Sequence, residues 1–298
     1  MPEHAAGTPE GRTMSETALG TILTAMVTPF GADASVDESA FTALQHHVVE
    51  QGSDGVVVCA TTGEAPTLSN EEHLRLIELA CAERPPGSTV IASTGSNNTR
   101  QACAMTERAT ELGADAVLSV NPYYNRPNRR GLLRHYSEIS RATDRPVVLY
   151  NVPKRTGYDL TNEMLAELAQ IERVDYVKQA NNANLAPVDG LGVYAGNDDV
   201  FAATLDMGGC GGILVASHLV GPWMRRMVEE PARRGELDET LRPLYAALAA
   251  TTNPIPVKAA LNLLGHPVGR PRLPLVEADV EETAQVRAAL TGLGLLDG

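Results

Sequence analysis

The sequence predicts an α/β fold, a closed (β/α)8 barrel followed by a C-terminal helical appendage. Eight apolar segments, each followed by a helical pattern, repeat over about 210 residues, the number and length expected of such a barrel. The first segment leads into Thr24–Pro29, which lacks the Gly-rich turn that a doubly wound, dinucleotide-binding sheet usually has there. We therefore expect the TIM-barrel arrangement over residues 19–235 and a helical region over 236–298.

The predicted strands are short apolar runs that end at turn residues or at polar residues. The run Gly55–Cys59 is apolar throughout, which is typical of a strand buried on both faces. Pro29 stops the first strand because proline cannot donate to a sheet. In chain order, the expected strands are Thr21–Val27, Gly55–Cys59, Thr89–Ala92, Ala116–Val120, Pro146–Tyr150, Tyr176–Lys178, Val193–Ala195 and Gly212–Ala216.

The predicted helices have apolar residues at helical spacing and recognisable ends. Ser69 with Glu72 forms a capping box, and Thr161 caps a later helix. The expected barrel helices are Asp37–Gly52, a helix after Ser69, Thr99–Leu112, Gly131–Ala142, Thr161–Ala169, Val200–Met207 and Pro222–Val228. The segment after the sixth strand, Leu185–Leu191, is only weakly patterned. The expected appendage helices are Leu237–Ala250, Pro256–Leu264 and Val280–Leu293.

Composition and charge exclude several classes of function. A net charge of −13 disfavours nucleic-acid and anionic-membrane surfaces. The four cysteines are widely separated, so we expect buried thiols in a reducing compartment and a cytoplasmic protein. No apolar run is long enough to span a bilayer. Residues 1–18 lack the apolar core of a signal peptide, and we expect a disordered tail.

Metal and phosphate chemistry have little support in the sequence. The seven histidines form no HxH or HExxH set. Asn197–Asp199 could ligate a metal, but we interpret these residues as caps of the following helix. Gly208–Gly212 leads into a strand and lacks a P-loop lysine, which indicates a tight turn. We expect neither a metal nor a separate cofactor.

Lys178 is the strongest candidate for chemistry. The chain has three lysines, Lys154, Lys178 and Lys258, and Lys178 ends a predicted buried strand. Burial disfavours the charged form of an amine, so more of it would be the free amine that attacks a ketone. The alternatives are that Lys178 extends out to solvent or pairs with Asp175.

Further polar groups follow the other predicted strands, and a barrel brings these ends together. A hydroxyl of Tyr150 could shuttle protons, Thr61 and Thr62 could pass a proton or hold a carboxylate, and Arg155 could bind a second carboxylate. Each of these groups has an alternative, purely structural explanation. Tyr150 could pack in the barrel wall, Tyr123 and Tyr124 could also be packing residues, the threonines could form an ordinary turn, and Arg155 could be a solvated loop residue. Together these groups suit a ketone that carries a carboxylate.

Four segments carry a resemblance to a known family. They are Thr61–Glu64, Asn121–Pro127, Tyr150–Gly157 and Asn253–Lys258. On these residues the chain, from about Gly20 to its end, resembles the 4-hydroxy-tetrahydrodipicolinate synthase (dihydrodipicolinate synthase) family of pyruvate-dependent class I aldolases, a superfamily that includes N-acetylneuraminate lyase.

The resemblance implies a role for each candidate residue. Lys178 would form a Schiff base with pyruvate, and Tyr150, Thr61 and Tyr124 would form a proton relay, with Tyr124 reaching a neighbouring subunit. Pyruvate would contact Thr62 and Ile213, Gly196 would shape the pocket, and Arg155 would bind the carboxylate of aspartate-4-semialdehyde. The family is usually tetrameric and cytoplasmic and acts in lysine and diaminopimelate biosynthesis, so a homotetramer is expected, with no nucleic-acid or membrane partner.

Two departures from the family pattern, and two alternatives to the synthase function, stay open. The family usually has Glu-Ala after the lysine, where this chain has Gln179-Ala180 and then Asn181. Gln101 stands where lysine-inhibited members tend to carry an acid, although His73, Asn97 and Tyr123 are compatible with inhibition by lysine. The alternatives are a sister aldolase that cleaves a 2-keto acid, such as 4-hydroxy-2-oxoglutarate or a keto-deoxy sugar acid, and a non-catalytic regulatory relative.

Overall fold

Eight parallel strands close into a barrel in a computed structural model that describes residues 19–297. Each strand pairs with the next along the chain, and the eighth pairs with the first. The predicted (β/α)8 fold is therefore confirmed. The strands are β1 (Ile22–Ala25), β2 (Gly55–Val58), β3 (Thr89–Ser93), β4 (Ala116–Val120), β5 (Val147–Asn151), β6 (Val174–Gln179), β7 (Gly192–Ala195) and β8 (Gly211–Leu214).

Helices connect the strands, except that only a short 3-10 turn, Asn182–Asn184, lies between β6 and β7, and they continue beyond the barrel. They are α1 (Glu38–Glu50), α2 (Asn70–Ala82), α3 (Thr99–Glu111), α4 (Arg129–Arg141), α5 (Pro153–Thr156), α6 (Asn162–Leu168), α7 (Phe201–Asp206), α8 (Ser217–Glu229), α9 (Arg234–Leu248), α10 (Ile255–Leu263) and α11 (Val280–Gly292). Among residues 19–297, no helix is long and apolar enough to cross a membrane. The tail predicted for residues 1–18 lies outside the described residues.

The capping predictions are confirmed at two helices. Ser69 accepts from the Glu72 N–H while the Glu72 side chain accepts from the Ser69 N–H, which completes the capping box of α2. Thr161 accepts from the N–H of Met164 at the start of α6. These side chains satisfy backbone donors that a helix leaves free in its first turn.

The start of α8 differs from the prediction. The helix begins at Ser217, not at Pro222, and Val220 has non-helical dihedral angles inside it. Proline lacks an N–H and its ring crowds the preceding turn, so a helix that runs through Pro222 is kinked before it. Buried side chains on both sides of the kink, including Leu219 and Met224, hold the two parts on the barrel.

Apolar side chains form two layers because residues alternate across each strand. The interior of the barrel is one cluster, which contains Tyr150, Tyr176 and Ile213. The layer between strands and helices is a second cluster, which contains Val177 together with Leu241 and Leu261 of the appendage. The appendage therefore shares a core with the barrel, and the division at residue 235 stays a prediction.

Candidate active site

Lys178 and Tyr150 lie side by side at the carboxyl ends of β6 and β5. They are register partners across the two strands, and Lys178 Nζ is 4.5 Å from the centre of the Tyr150 ring. Lys178 follows Tyr176 by two residues, so its side chain points into the barrel. Because Lys178 is only 4 % exposed, it does not extend out to solvent. Within residues 19–297, no carboxylate is within ion-pair distance of its amine.

Asp198, which the sequence predicts to be a helix cap, is a half-buried residue close to the carboxyl end of β8. One of its oxygens accepts hydrogen bonds from the N–H groups of Val215 and Ala216, at 2.9 and 3.0 Å, just after β8. Burial raises its pKa to about 6, against the opposing effects of these N–H groups and of the Lys178 charge. The interpretation of Asn197–Asp199 as caps of the following helix is wrong, because no side chain there caps it.

The two threonines follow β2 and differ in exposure. Thr61 is half-buried and Thr62 is buried. Thr62 Oγ1 accepts a hydrogen bond from Asn253 Nδ2 at 2.9 Å. Thr61 lines a cavity of about 540 Å³ together with Tyr150 and Arg155. The structure therefore brings three of the predicted site residues to one opening.

Arg155 reaches the same opening from α5, a single turn that the sequence analysis did not predict. Its side chain is exposed, and Nη2 donates to the backbone carbonyl of Asn253 at 3.4 Å. Asn253 thus contacts both Arg155 and Thr62. Asn253 belongs to one of the segments that carry the family resemblance, but the sequence indicates no role for it, since its partners lie 191 and 98 positions away.

Gly196, which follows β7, and Ile213, on β8, are not among the residues that line that cavity. A Cβ on Gly196 would come within 2.7 Å of the Gln179 carbonyl oxygen and 2.8 Å of the Ala180 Cβ. Only glycine therefore fits without a shift of this backbone. Ile213 is fully buried in the interior cluster on β8.

Tyr124 is not brought to the site of its own chain. Its side chain is 91 % exposed, and its φ is 69°, in the left-handed region that most residues avoid. The structure thus places Lys178, Tyr150, Thr61, Thr62 and Gly196 at or just beyond the carboxyl ends of their strands. Arg155 reaches the cavity from α5, Ile213 lies within β8, and Tyr124 is exposed.

Comparisons with known proteins match this arrangement. The sequence model of the dihydrodipicolinate synthetase family matches residues 18–293. The chain belongs to the dihydrodipicolinate synthetase family. The 4-hydroxy-tetrahydrodipicolinate synthase of Synechococcus elongatus is 43 % identical over 290 residues, covering 93 % of this chain and 97 % of that protein. The enzyme of Thermosynechococcus vestitus is 42 % identical over 295 residues, covering 94 % and 99 %.

Solved structures of the family have the same fold. The lysine-bound enzyme of Cyanidioschyzon merolae superposes with a TM-score of 0.89 at 36 % identity, covering 93 % of this chain and 99 % of that one. The chloride-inhibited enzyme of Acinetobacter baumannii, in complex with pyruvate, also gives 0.89, at 34 % identity, covering 94 % and 100 %. The family resemblance drawn from the four sequence segments is confirmed.

Gln179, which departs from the family pattern, does not face the reactive amine. It lies on the same face of β6 as Val177, which belongs to the outer layer. Its Oε1 accepts hydrogen bonds from Asn151 Nδ2 and from the Asn181 N–H, both at 3.0 Å. The neutral amide therefore acts in a polar network behind the strand, which Asp159 joins by accepting from Asn151 and Asn181.

Proposed function

We propose that this chain is a lyase that condenses pyruvate with aspartate-4-semialdehyde to 4-hydroxy-tetrahydrodipicolinate. The observation that carries the proposal is a buried lysine, Lys178, beside Tyr150 and without a carboxylate partner among residues 19–297. The free amine adds to the ketone of pyruvate, and the adduct takes up a proton and loses water, which gives a protonated imine. The imine acidifies the adjacent methyl group, and the resulting enamine attacks the aldehyde. The amine of the semialdehyde then displaces Lys178, which closes the ring and frees the enzyme. No separate cofactor is needed for these steps.

Proton transfers would pass through hydroxyl groups at the opening. Tyr150 lies over the Lys178 amine, and Thr61 lines the same cavity. Tyr124 completes the relay only if it comes from a neighbouring copy. Its 91 % exposure supports that assignment, because an aromatic side chain in solvent is available to another subunit. We therefore propose a homotetramer in which sites are shared.

The remaining residues would hold the two substrates. Thr62 accepts from Asn253 through its oxygen, so its hydroxyl proton is available to the pyruvate carboxylate. Gly196 and Ile213 would shape the pyruvate pocket. Arg155 is exposed at the cavity and presents a planar fork suited to the carboxylate of the semialdehyde. We place the reaction in lysine and diaminopimelate biosynthesis, in the cytoplasm.

The decisive experiment is reductive trapping. The protein is mixed with pyruvate, treated with borohydride, and digested for mass spectrometry. We expect the adduct on the peptide that contains Lys178 and on neither Lys154 nor Lys258. An adduct on another lysine, or none at all, would overturn the proposal. Turnover is then measured with pyruvate and a panel of aldehydes, and cleavage is measured with 2-keto acids. Cleavage of a sugar acid without condensation of the semialdehyde would indicate a sister aldolase.

A further inference from the structure

The segment Asn253–Lys258 contacts the mouth of the barrel at two places. Asn253 donates to Thr62 at 2.9 Å and accepts from Arg155 at 3.4 Å. Further along the same segment, Lys258 Nζ forms an ion pair with Glu64 at 2.6 Å. One short segment of the C-terminal region therefore contacts the loop after β2 at Thr62 and at Glu64, and it also contacts Arg155.

The ion pair between Glu64 and Lys258 is fully buried, with both side chains 1 % exposed. Glu64 also accepts from the backbone N–H of Arg272 at 2.8 Å, and Lys258 donates to the Arg270 carbonyl at 3.2 Å. The Lys258 amine lies 4.3 Å from the centre of the Phe30 ring. Burying two charges has a large desolvation cost, so such a pair is a poor way to gain stability and a good way to fix one conformation.

The backbone at Glu64 points to the same conclusion. Its φ is 56°, in the left-handed region that is strained for a residue with a side chain. In this conformation its N–H donates to the Thr61 carbonyl at 3.1 Å, and its own carbonyl accepts from Thr67 at 2.9 Å. The direction in which Thr61 and Thr62 leave β2 therefore depends on how Glu64 is held.

We infer that the Glu64–Lys258 pair and Asn253 are positioning residues that set the separation between Thr62 and Arg155. This inference rests on the proposed function, in which Thr62 binds the pyruvate carboxylate and Arg155 binds that of the semialdehyde. The C-terminal region then determines how the enamine and the aldehyde approach each other. Formation of the Schiff base on β6 does not need that separation, so the two half-reactions respond differently when the pair is broken.

The test uses the full-length variants Lys258→Met and Glu64→Gln. Two readouts are compared: borohydride trapping of pyruvate, and the kcat and KM of condensation for each substrate. We expect trapping within about threefold of the wild type and a loss of about tenfold or more in kcat/KM for the semialdehyde, because small misplacements of bound reactants are costly. Arg225→Met is the matched control, since it breaks the 2.6 Å pair with Asp54 on the strand-start side of the barrel. In that control, the ratio of pyruvate trapping to kcat/KM for the semialdehyde should be the same as in the wild type.

The double variant Glu64→Gln/Lys258→Met covers the case in which a single variant does not fold. It removes both buried charges without rebuilding the contact, so we expect a folded protein that still uses the semialdehyde poorly. Two results would show that the pair is only structural. One is wild-type kinetics in the double variant. The other is a lower melting temperature with an unchanged ratio of pyruvate trapping to kcat/KM for the semialdehyde. Failure of the wild type to form the Lys178 adduct would instead contradict the proposed function.

Discussion

Two lysines are buried in this barrel, and they differ in what they face. Lys178 is 4 % exposed and Lys258 is 1 % exposed. Lys258 contacts the Glu64 carboxylate at 2.6 Å, whereas Lys178 lies over the Tyr150 ring with no carboxylate at ion-pair distance among residues 19–297. Burial by itself therefore does not make a nucleophile. An amine becomes available for addition to a ketone when no anion beside it favours the ammonium form.

The acids near the two lysines are held in different ways. Burial lowers the pKa of Lys258, and the Glu64 charge opposes that effect through direct contact. Asp198, by contrast, accepts hydrogen bonds from two backbone N–H groups after β8. The Lys178 charge acts to lower the pKa of Asp198, although the two groups form no ion pair among the described residues.

The largest expected effect is on turnover, which should depend on Lys178 far more than on Lys258. Lys178→Met should lower turnover by about 10⁴-fold or more, because the covalent intermediate cannot form. The same change at Lys258 should leave the pyruvate adduct in place. Turnover and reductive trapping of both variants measure this contrast. Retention of the adduct in Lys178→Met would refute the assignment of the two roles.

The next largest effect is on the free energy of unfolding, which should depend on Lys258 more than on Lys178. Lys258→Met leaves the Glu64 carboxylate buried without its partner, so the free energy of unfolding should fall by about 3–5 kcal/mol. Lys178→Met removes no ion pair among the described residues and should change it by less than about 1.5 kcal/mol. Urea denaturation gives both values. Equal losses in the two variants would mean that Lys178 has a stabilising partner after all.

Asp198 allows a test by pH. Its folded pKa of about 6 lies above the ordinary value of 3.8, so its contribution to stability is full below about pH 4 and is lost as pH rises through 6. Asp198→Asn cannot ionise. Its stability relative to the wild type should therefore rise between pH 4 and 7, by on the order of 3 kcal/mol. A difference that stays constant over this range would contradict the raised pKa.

The smallest expected effect concerns the choice of substrate. Arg155→Ala should raise the KM for the semialdehyde by roughly 10–30-fold, through loss of a charge-assisted contact with its carboxylate. The KM for pyruvate should change little, because the proposed pyruvate groups Thr62 and Lys178 are intact. Steady-state kinetics with each substrate varied in turn measure this split. Parallel losses for both substrates would count against the role of Arg155.

The fold was predictable because its signals are local. Apolar runs such as Gly55–Val58 form strands wherever both faces are buried, and Ser69 caps α2 through a residue only three positions away. The closed barrel followed from the number of such units. The kink before Pro222 was missed because packing on the barrel, which outweighs the disruption by proline, is not visible in the local pattern.

The candidate site was predictable in part. Tyr150 and Lys178 were placed together because both end strands that a barrel makes neighbours, and the register agrees. Asp198 was misinterpreted because its partners, Val215 and Ala216, belong to the next strand unit and not to its own helix.

The sequence by itself determined the fold and which reactive side chains follow the strands, since strand and helix patterns and residue chemistry are properties of short segments. Tertiary structure alone decided which lysine meets a carboxylate and which side of β6 Gln179 faces. It also decided that Asn253 contacts Thr62 and Arg155 at once. The reason is physical: hydrogen bonds and ion pairs act over a few ångströms, and only folding brings residues from distant parts of the chain within that range.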